Sequence, residues 1–564
     1  MTEDRSMQLR ILLAFLLSVG IMALWGVIFP PPKPTRPPAL PPPAAVEEAA
    51  AQATAIEPPA AAPAVIPVRG ATEEQTLVVE NTLYRVEFSN RGGVVRSWQL
   101  KNYRDDAKPP QTLDVVHPEA ARQLNGWPLS LMLEDPGLEG AANTALYEIQ
   151  PAGGDLHAPA EVTLAWSDGR LAVTKKLRFE SSYIVELESE VLLDGKPLPH
   201  AVAWRSGFGD DTVYNAAETV QVAFRNGDKR ELLAHAKLGQ ENNRAQRLRQ
   251  EGALAYATIE DRYFVAVFLP VRGGLALWHW KQERTATRDK KSVTEPVAEI
   301  AAGSTAPEAL SLRLYVGPKD VEQLGQVNPP LTELVDFGWF GLISRPLFYF
   351  LKWIYGYVGN YGWAIVLMTI VINMVMFPLK VKSWRSMQRM QKVMPEVKTI
   401  QEKYKKYSMR DPRRQQMNQE VMAVYKREGV NPAGSCLPML LQMPIWFALY
   451  QMLNATIELR HAPWIWWIKD LSARDPYYIL PIVMAVTFYV MQKMTPTTTT
   501  DPAQQRMMQM MPIMFGGMFI IIPISSGLVL YILTSNVVGV AQQWYLNRTS
   551  PVAPPRSKEK GKKK

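Results

Sequence analysis

Cysteine is nearly absent. The 564 residues hold one, Cys436, so no intrachain disulfide forms and any exported part holds itself by its core alone. Histidine is scarce, six scattered residues of which His461 alone lies near the apolar C-terminal half. There is no HExxH, no GxSxG and no Walker loop, which leaves no metalloprotease, serine-hydrolase or nucleotide site to read. Asp and Glu are missing from the five long apolar segments of that half, which argues against proton-coupled transport and intramembrane proteolysis. We read no enzyme, no metal, no cofactor and no small-molecule substrate.

Apolar runs are what the chain has in quantity. Hydrophobic residues make up 47% of it, charged residues 20%, and the formal charge is +9. At this length several domains are expected, and the mixture predicts a membrane block joined to a sizeable soluble part. The organising stretch is NPAGSCLPMLLQMPIWFALY, from Asn431 to Tyr450. It is long enough to cross a hydrocarbon core, which takes roughly 20 helical residues. Pro438, Gln442 and Pro444 interrupt it. Proline frees backbone carbonyls that need partners inside lipid, so this helix faces other helices.

Residues 1–29 hold an apolar run preceded by Arg5 and Arg10. That run exceeds a signal-peptide core of about 7–15 residues, so an uncleaved membrane anchor is expected. Residues 30–74 are rich in Pro and Ala and predict an extended linker outside the membrane. From 75 to 320, short β-rich runs such as TLVVENTLYRVEFSN, LAVTKKLRFE and YFVAVFLP alternate apolar and polar residues between turn signals. They predict an antiparallel β-sandwich, with Arg91-Gly92-Gly93 as a turn. Residues 331–358 are aromatic and amphipathic, with Gly338, Gly341 and Pro346 inside, and suit a helix lying at the membrane interface.

Five further spans are expected at 361–378, 434–457, 477–494, 507–524 and 527–546, within a core at 361–547. The segment between the first two is strongly basic, as is the tail at 548–564. By the positive-inside rule both lie in the cytoplasm. The expected fold class is therefore a six-span α-helical membrane protein, both termini inside, with an inserted β-sandwich outside. In the basic segment, apolar residues at three- and four-residue steps predict a helical hairpin at 383–428. Its Met-rich face suits docking, and Arg385, Arg389, Met390, Met394, Arg413 and Arg414, with Lys562, Lys563 and Lys564 of the tail, are the candidate docking residues.

The spans carry neutral polar residues: Thr369, Asn373, Gln442, Thr534, Ser535 and Asn536. Such groups either bond helices together or line a hydrated groove that shortens the hydrocarbon path of a passing polar segment. Large apolar residues beside kinks, namely Met443, Pro444, Trp446, Phe519, Pro523, Leu530 and Tyr531, are the candidate client path.

The stretch from Asn431 to Tyr450 resembles the signature of the YidC/Oxa1/Alb3 membrane insertases. ELRHAPWIWWIKDLSARDPYYILP, QKMTPTTTTDPAQQ and GLVLYILTSN extend the resemblance over 337–548, and NRGGVVRSWQLKNY and DRYFVAVFLP are similar to the periplasmic domain of the Gram-negative members. The resemblance implies a bacterial inner-membrane insertase and chaperone with a groove open to cytoplasm and lipid, acting alone or with the Sec translocon. It implies nascent membrane proteins, the ribosome, the Sec translocon and the lipid bilayer as partners. A membrane-anchored periplasmic binding or envelope-assembly module is the alternative. One departure matters. The family usually places a positive residue five positions before the Pro that is here Pro378, and this chain has Asn373 there. The sequence therefore predicts a hydrated groove with no charge of its own at that position, and little gain in insertion from negative charge on a client.

Overall fold

In the computed structural model the described residues are 66–549, apart from 214–218, 234, 242–243, 289–290, 305–308, 408–410, 430–436 and most of 496–523. The expected anchor, most of the linker, half of the span at 507–524 and all of the basic tail beyond Thr549 thus lie outside the described residues.

The β-rich runs fold as their periodicity predicts. Tyr84–Ser89 buries Tyr84, Val86 and Phe88, and Leu171–Phe179 buries every second side chain, the period of a strand with one face inward. Two large sheets form. One has five strands, in the order Thr112–Asp114, Val94–Arg104, Tyr84–Ser89, Thr76–Glu80 and Asp155–His157; the other has fourteen. Aromatic side chains of one meet those of the other, with Tyr84 and Phe88 at 6.3 and 5.9 Å from Phe179 and Trp98 at 6.1 Å from Trp204. The wholly antiparallel expectation fails at one edge, where Thr76–Glu80 pairs in parallel with Asp155–His157. The intervening chain, which includes the helix Pro136–Thr144, is long enough for the crossover that parallel pairing requires.

An inward position of Leu171–Phe179 is a lysine. Lys175 is fully buried, and its Nζ donates to the carbonyls of Gly92, Gly93 and Leu129 at 3.0, 2.9 and 2.8 Å. Arg91-Gly92-Gly93 is indeed a turn. Gly92 has φ +76°, and a Cβ there would stand 2.4 Å from the Asn143 carbonyl oxygen, so glycine is required on both counts.

The helical part begins with α1, Gly341–Val358, ten residues later than the amphipathic segment predicted from 331. The delay has a local cause: Gly338 sits at φ +64° and its N–H is taken by the Asp336 carboxylate at 2.7 Å, a turn that a helix cannot contain. The helix α2 runs unbroken over Tyr361–Lys403, with Pro378 and Pro395 inside it. The helix thus continues past Pro378, where the span is expected to end. Each proline removes one helical hydrogen bond, and the continuing stripe of apolar residues carries the helix on. Next come α3, Arg413–Arg427, then α4, Leu437–Ala455, α5, Ile479–Met494, and α6, Ser526–Thr549. Among the described residues α2 is the one helix long and apolar enough to cross a membrane, with a mean hydropathy of 2.1 over its apolar 18-residue stretch, and α5 is a shorter apolar helix.

The segment between α4 and α5 gathers the helix ends. The side-chain amide of Asn360, which caps α2, donates to the Pro463 carbonyl at 3.0 Å, and the amides of Ser526 and Gly527 at the start of α6 donate to the carbonyls of Ala473 and Leu471 at 2.6 and 2.8 Å. The same segment meets the β-sheets. The Arg460 guanidinium pairs with Asp106 at 3.2 Å and with Asp210, and lies over the Phe264 ring. His461 Nε2 is 2.8 Å from Asp106, and Arg262 donates to the carbonyl and side chain of Asn454 at 3.1 and 2.6 Å. Burial pushes the Asp106 carboxyl up, but the bond to His461 and the charges of Arg460 and His461 outweigh it and hold it below its ordinary range.

Candidate functional site

The two helices α2 and α6 run side by side in the same direction, and their polar residues meet in register. Asn373 Nδ2 donates to Ser535 Oγ at 3.3 Å, and two turns further on Lys380 Nζ donates to Gln542 Oε1 at 3.1 Å. Residues seven apart lie almost in line on a helix of 3.6 residues per turn, so Asn373 and Lys380 form one stripe and Ser535 and Gln542 the facing one. The stripes are cross-linked. Lys380 Nζ also donates to Asn373 Oδ1 at 2.8 Å, and Gln542 Nε2 to the Asn373 carbonyl at 3.1 Å. Asn373 is buried and uses its remaining donor on the Thr369 carbonyl at 2.9 Å.

The other polar candidates divide. The Thr369 hydroxyl is fully buried and turns back onto its own helix, donating to the Ile365 carbonyl at 2.6 Å. Gln442 of α4 donates to the Tyr531 hydroxyl of α6 at 3.3 Å, a separate link. Asn536 is buried, and its side-chain nitrogen has no hydrogen-bond partner among the described residues. Thr534 is half-buried beside the seam. Of the six, Asn373 and Ser535 are brought together.

The client-path candidates divide too. Met443, Pro444 and Trp446 are half-buried on α4, with the Trp446 ring stacked 6.1 Å from Tyr450. Phe519, Leu530 and Tyr531 are buried among the helices, and Pro523 lies outside the described residues.

In the basic hairpin the Met-rich face is already occupied. Met390 is buried with Val393, Val397 of α2 and Val424 of α3, and Met394, Ile400, Val421 and Tyr425 pack on them. The hydrophobic effect folds that face against the partner helix of the hairpin, with Met390 buried and Met394 partly buried there. The cations stay outside. Arg385, Arg389 and Arg413 are exposed, and Arg414 is half-buried, donating to the Tyr407 carbonyl at 3.1 Å. Lys562, Lys563 and Lys564 lie outside the described residues.

Two features escaped the sequence reading. Lys380 counted there only as one charge of a basic segment, and Gln542 was passed over. The seven-residue spacing from Asn373 and from Ser535 was the available signal. The cluster of Asp106, Asp210 and Arg460 joins residues hundreds of positions apart and had none. Asp106, His461 and Asp470 bring donor atoms within 4.8 Å of one another, and the Arg460 guanidinium already holds Asp106, so the cluster is part of an ion-pair network.

Comparison with known proteins follows this division of the chain. A family model described as the YidC periplasmic domain matches residues 76–350, and one described as the 60Kd inner membrane protein matches residues 353–553. A protein named membrane protein insertase YidC from Geotalea uraniireducens (strain Rf4) is 32% identical over 562 residues, 97% of this chain and 100% of that one. Another of the same name from Citrifermentans bemidjiense is 34% identical over 568 residues, 96% of this chain and 99% of that one. A crystal structure of an active YidC insertase with its first transmembrane domain resolved covers 86% of this chain and 95% of that chain at 18% identity, with a TM-score of 0.35.

Proposed function

The chain belongs to the YidC family of membrane protein insertases, and from that premise we propose that it inserts nascent membrane proteins along the polar seam between α2 and α6. The observation that carries this reading is the in-register network of Asn373, Lys380, Ser535 and Gln542 within a helical bundle. Polar groups there offer hydrogen bonds to a backbone in transit. They lower a barrier of roughly 2.5–3.5 kcal/mol for each charged side chain at the bilayer centre by insertion scales. No covalent reaction is needed: the client's apolar helix leaves sideways into lipid, and that burial drives the process.

Six spans are part of the proposal, with α2, α4, α5, the 507–524 segment and α6 forming the core and residues 1–29 the anchor. The alternation of helix ends supports it, since the starts of α2, α5 and α6 and the end of α4 all gather at one segment. That segment and the end of α4 contact the β-rich part, which supports a β-sandwich on the same, periplasmic, side. The basic hairpin stands at the far end of α2, in the cytoplasm by the positive-inside rule, where its exposed arginines suit ribosomal RNA. The Sec translocon is a proposed partner on the strength of family membership. The exposed face of α1, with Leu342, Tyr349, Trp353 and Tyr357, suits the membrane interface.

The test is complementation. In cells depleted of their own insertase, this chain restores insertion of a single-span, short-tailed client, read as protease accessibility of the tail. A chain lacking residues 75–318 retains that activity if the helical core is the insertase. It loses it if the core merely anchors a periplasmic binding or assembly module.

A further inference from the structure

The turn Arg91-Gly92-Gly93 borders a cavity of about 230 Å³ walled by the β-rich part. One wall is a single face of the helix Pro136–Thr144, with Pro136, Glu139, Gly140, Asn143 and Thr144 at helical spacing. The other holds Arg91, Arg96, Trp127, Ser130 and Arg205. Lys175 fixes the two loops that carry this wall, since the carbonyls it binds belong to Gly92, Gly93 and Leu129, beside Arg91 and Ser130. Positive charge is in excess here. Arg91 and Arg96 share Glu74 at 3.0 and 3.6 Å, and Arg205 and Arg247 share Glu139 at 2.9 and 2.7 Å, so four guanidiniums divide two carboxylates. Burial, against the pull of Glu74, lowers the Arg96 guanidinium below its ordinary value, and Arg91 and Arg122 add to that.

The hydrogen-bonding capacity left over is mostly that of donors. Glu139 already accepts from Arg205, Arg247 and the Leu133 N–H, and the Asn143 amide exchanges both its bonds with the Leu131 backbone. Ser130 Oγ and Arg205 Nε are enclosed and have no hydrogen-bond partner among the described residues. A serine hydroxyl turns between staggered wells, and turning this one toward the cavity breaks no bond. Gly140 is a further sign. Glycine inside a helix lowers its stability relative to alanine. Yet a Cβ at this position meets nothing within 4 Å, and its φ is not positive. Neither packing nor backbone calls for glycine there, and its effect is to leave the cavity wall bare.

We infer that this cavity binds the phosphomonoester group of a small soluble molecule. Such a group carries a charge of about −1.5 to −2 at pH 7 and strong acceptor oxygens. It therefore balances the two guanidinium charges in excess and meets the donors without partners, and guanidinium forks bind its oxygens in pairs. A carboxylate brings one charge and leaves the second unbalanced. The cavity is smaller than the roughly 300–1,000 Å³ of a drug-sized ligand's site, which suits a body of a few carbons beside Trp127 and Pro136. The strand Val94–Arg104 runs from the cavity toward Asp106, which pairs with Arg460 of the helical part. At about 3.3 Å per residue its length puts roughly 30 Å between the two, which keeps the cavity away from lipid headgroups. The site is separate from the seam between α2 and α6 and does not depend on the insertase reading.

The experiment uses the full chain in phosphatidylcholine nanodiscs, titrated calorimetrically with glycerol 3-phosphate, glycerol and inorganic phosphate. Glycerol 3-phosphate is expected to bind about tenfold more tightly than glycerol, the worth of one charge-assisted hydrogen bond, and more tightly than inorganic phosphate. Arg96→Gln weakens it by about tenfold on the same grounds. Ser130→Ala weakens it severalfold without lowering the unfolding midpoint, because the hydroxyl it removes has no partner in the free protein. Gly140→Leu fills the cavity and abolishes binding, again without lowering the midpoint. A wild type that binds glycerol 3-phosphate no better than glycerol or inorganic phosphate overturns the proposal. A Gly140→Leu chain that folds and binds like the wild type overturns it as well. Phosphatidate added to the discs leaves the affinity unchanged; competition by it makes the site one for a lipid headgroup and overturns the soluble ligand.

Discussion

Two lysines of this chain lie against neutral oxygens, and they are opposites. Lys175, in the β-rich part, spends all three of its donors on backbone carbonyls and is wholly enclosed. Lys380, in the helical part, spends two on side-chain amides and keeps one side open. The first ties together two loops, the Gly92-Gly93 turn and the segment at Leu129. The second ties nothing that a neutral side chain could not tie, and its side chain is half-exposed. A buried charge whose donors are exhausted is architecture; one with a donor to spare is available for binding. The same contrast extends to the acids. Glu139 is held by Arg205 and Arg247 at 2.9 and 2.7 Å, and although burial pushes its carboxyl up, those bonds and charges keep it below its ordinary range.

The sharpest way to break the comparison is to remove a charge on the closed side. Arg460→Met strands Asp210, of which 4% is exposed, without its partner. Leaving a buried charge unpaired costs about 3–5 kcal/mol. We expect the contact between β-sheets and helices to become the first site of proteolysis in detergent-solubilised protein; a digestion pattern like that of the wild type refutes this.

Lys175→Met is expected to destabilise the β-rich part by about 3 kcal/mol, since three buried carbonyls lose their donors. Lys380→Met changes stability by less than about 1 kcal/mol, because the amides it leaves can pair with each other or with water. Denaturant unfolding followed by tryptophan fluorescence measures both. Equal losses for the two lysines erase the distinction between architecture and binding.

A pH series sharpens it further. Burial pulls the Lys175 ammonium down from 10.5 to about 7. Between those values the unfolded chain binds the proton that the folded chain lacks, so this lysine makes stability rise with pH from about 7 toward 10.5. The desolvation cost is present in full below about 7. The slope is at most one proton's worth, about 1.4 kcal/mol per pH unit. Lys175→Met removes it, and an unchanged slope in that variant assigns it to other groups.

The smallest effect belongs to Gln442→Leu, which deletes the bond to Tyr531. Hydrogen bonds between helices in membranes average about 0.6 kcal/mol. Thermal unfolding in detergent is expected to shift by no more than a degree or two, and a larger shift means that Gln442 does more than join two helices.

Legibility followed the range over which each signal acts. Strands such as Leu171–Phe179 read directly from the sequence because a period of two is local, and the turn at Gly92-Gly93 because glycine announces a positive φ. The apolar stripe of the hairpin is local too, and a face that suits docking is also one that suits self-packing, as Met390 packs with Val393, Val397 and Val424. Asn373 and Ser535 were visible as polar residues in apolar runs. Lys380 was hidden by its company, one cation among a dozen, and only the facing of α2 against α6 separates it from the rest. Parallel pairing at the sheet edge and the Arg460 network depend on contacts far apart in sequence, which no local pattern encodes.

The unbroken course of α2 has a mechanical meaning. Its 43 residues make a rod about 64 Å long at helical rise, and the groove residues and the hairpin are carved from that one rod. A push on the hairpin is therefore delivered to the bundle without an intervening joint. The rod is softest where a proline deletes a rung of its ladder, and Pro378 does so between Asn373 and Lys380. Bending there changes the angle between the two stripe residues before it changes anything else. A load on the hairpin is thereby converted into a displacement of the Lys380 side chain near the middle of the rod.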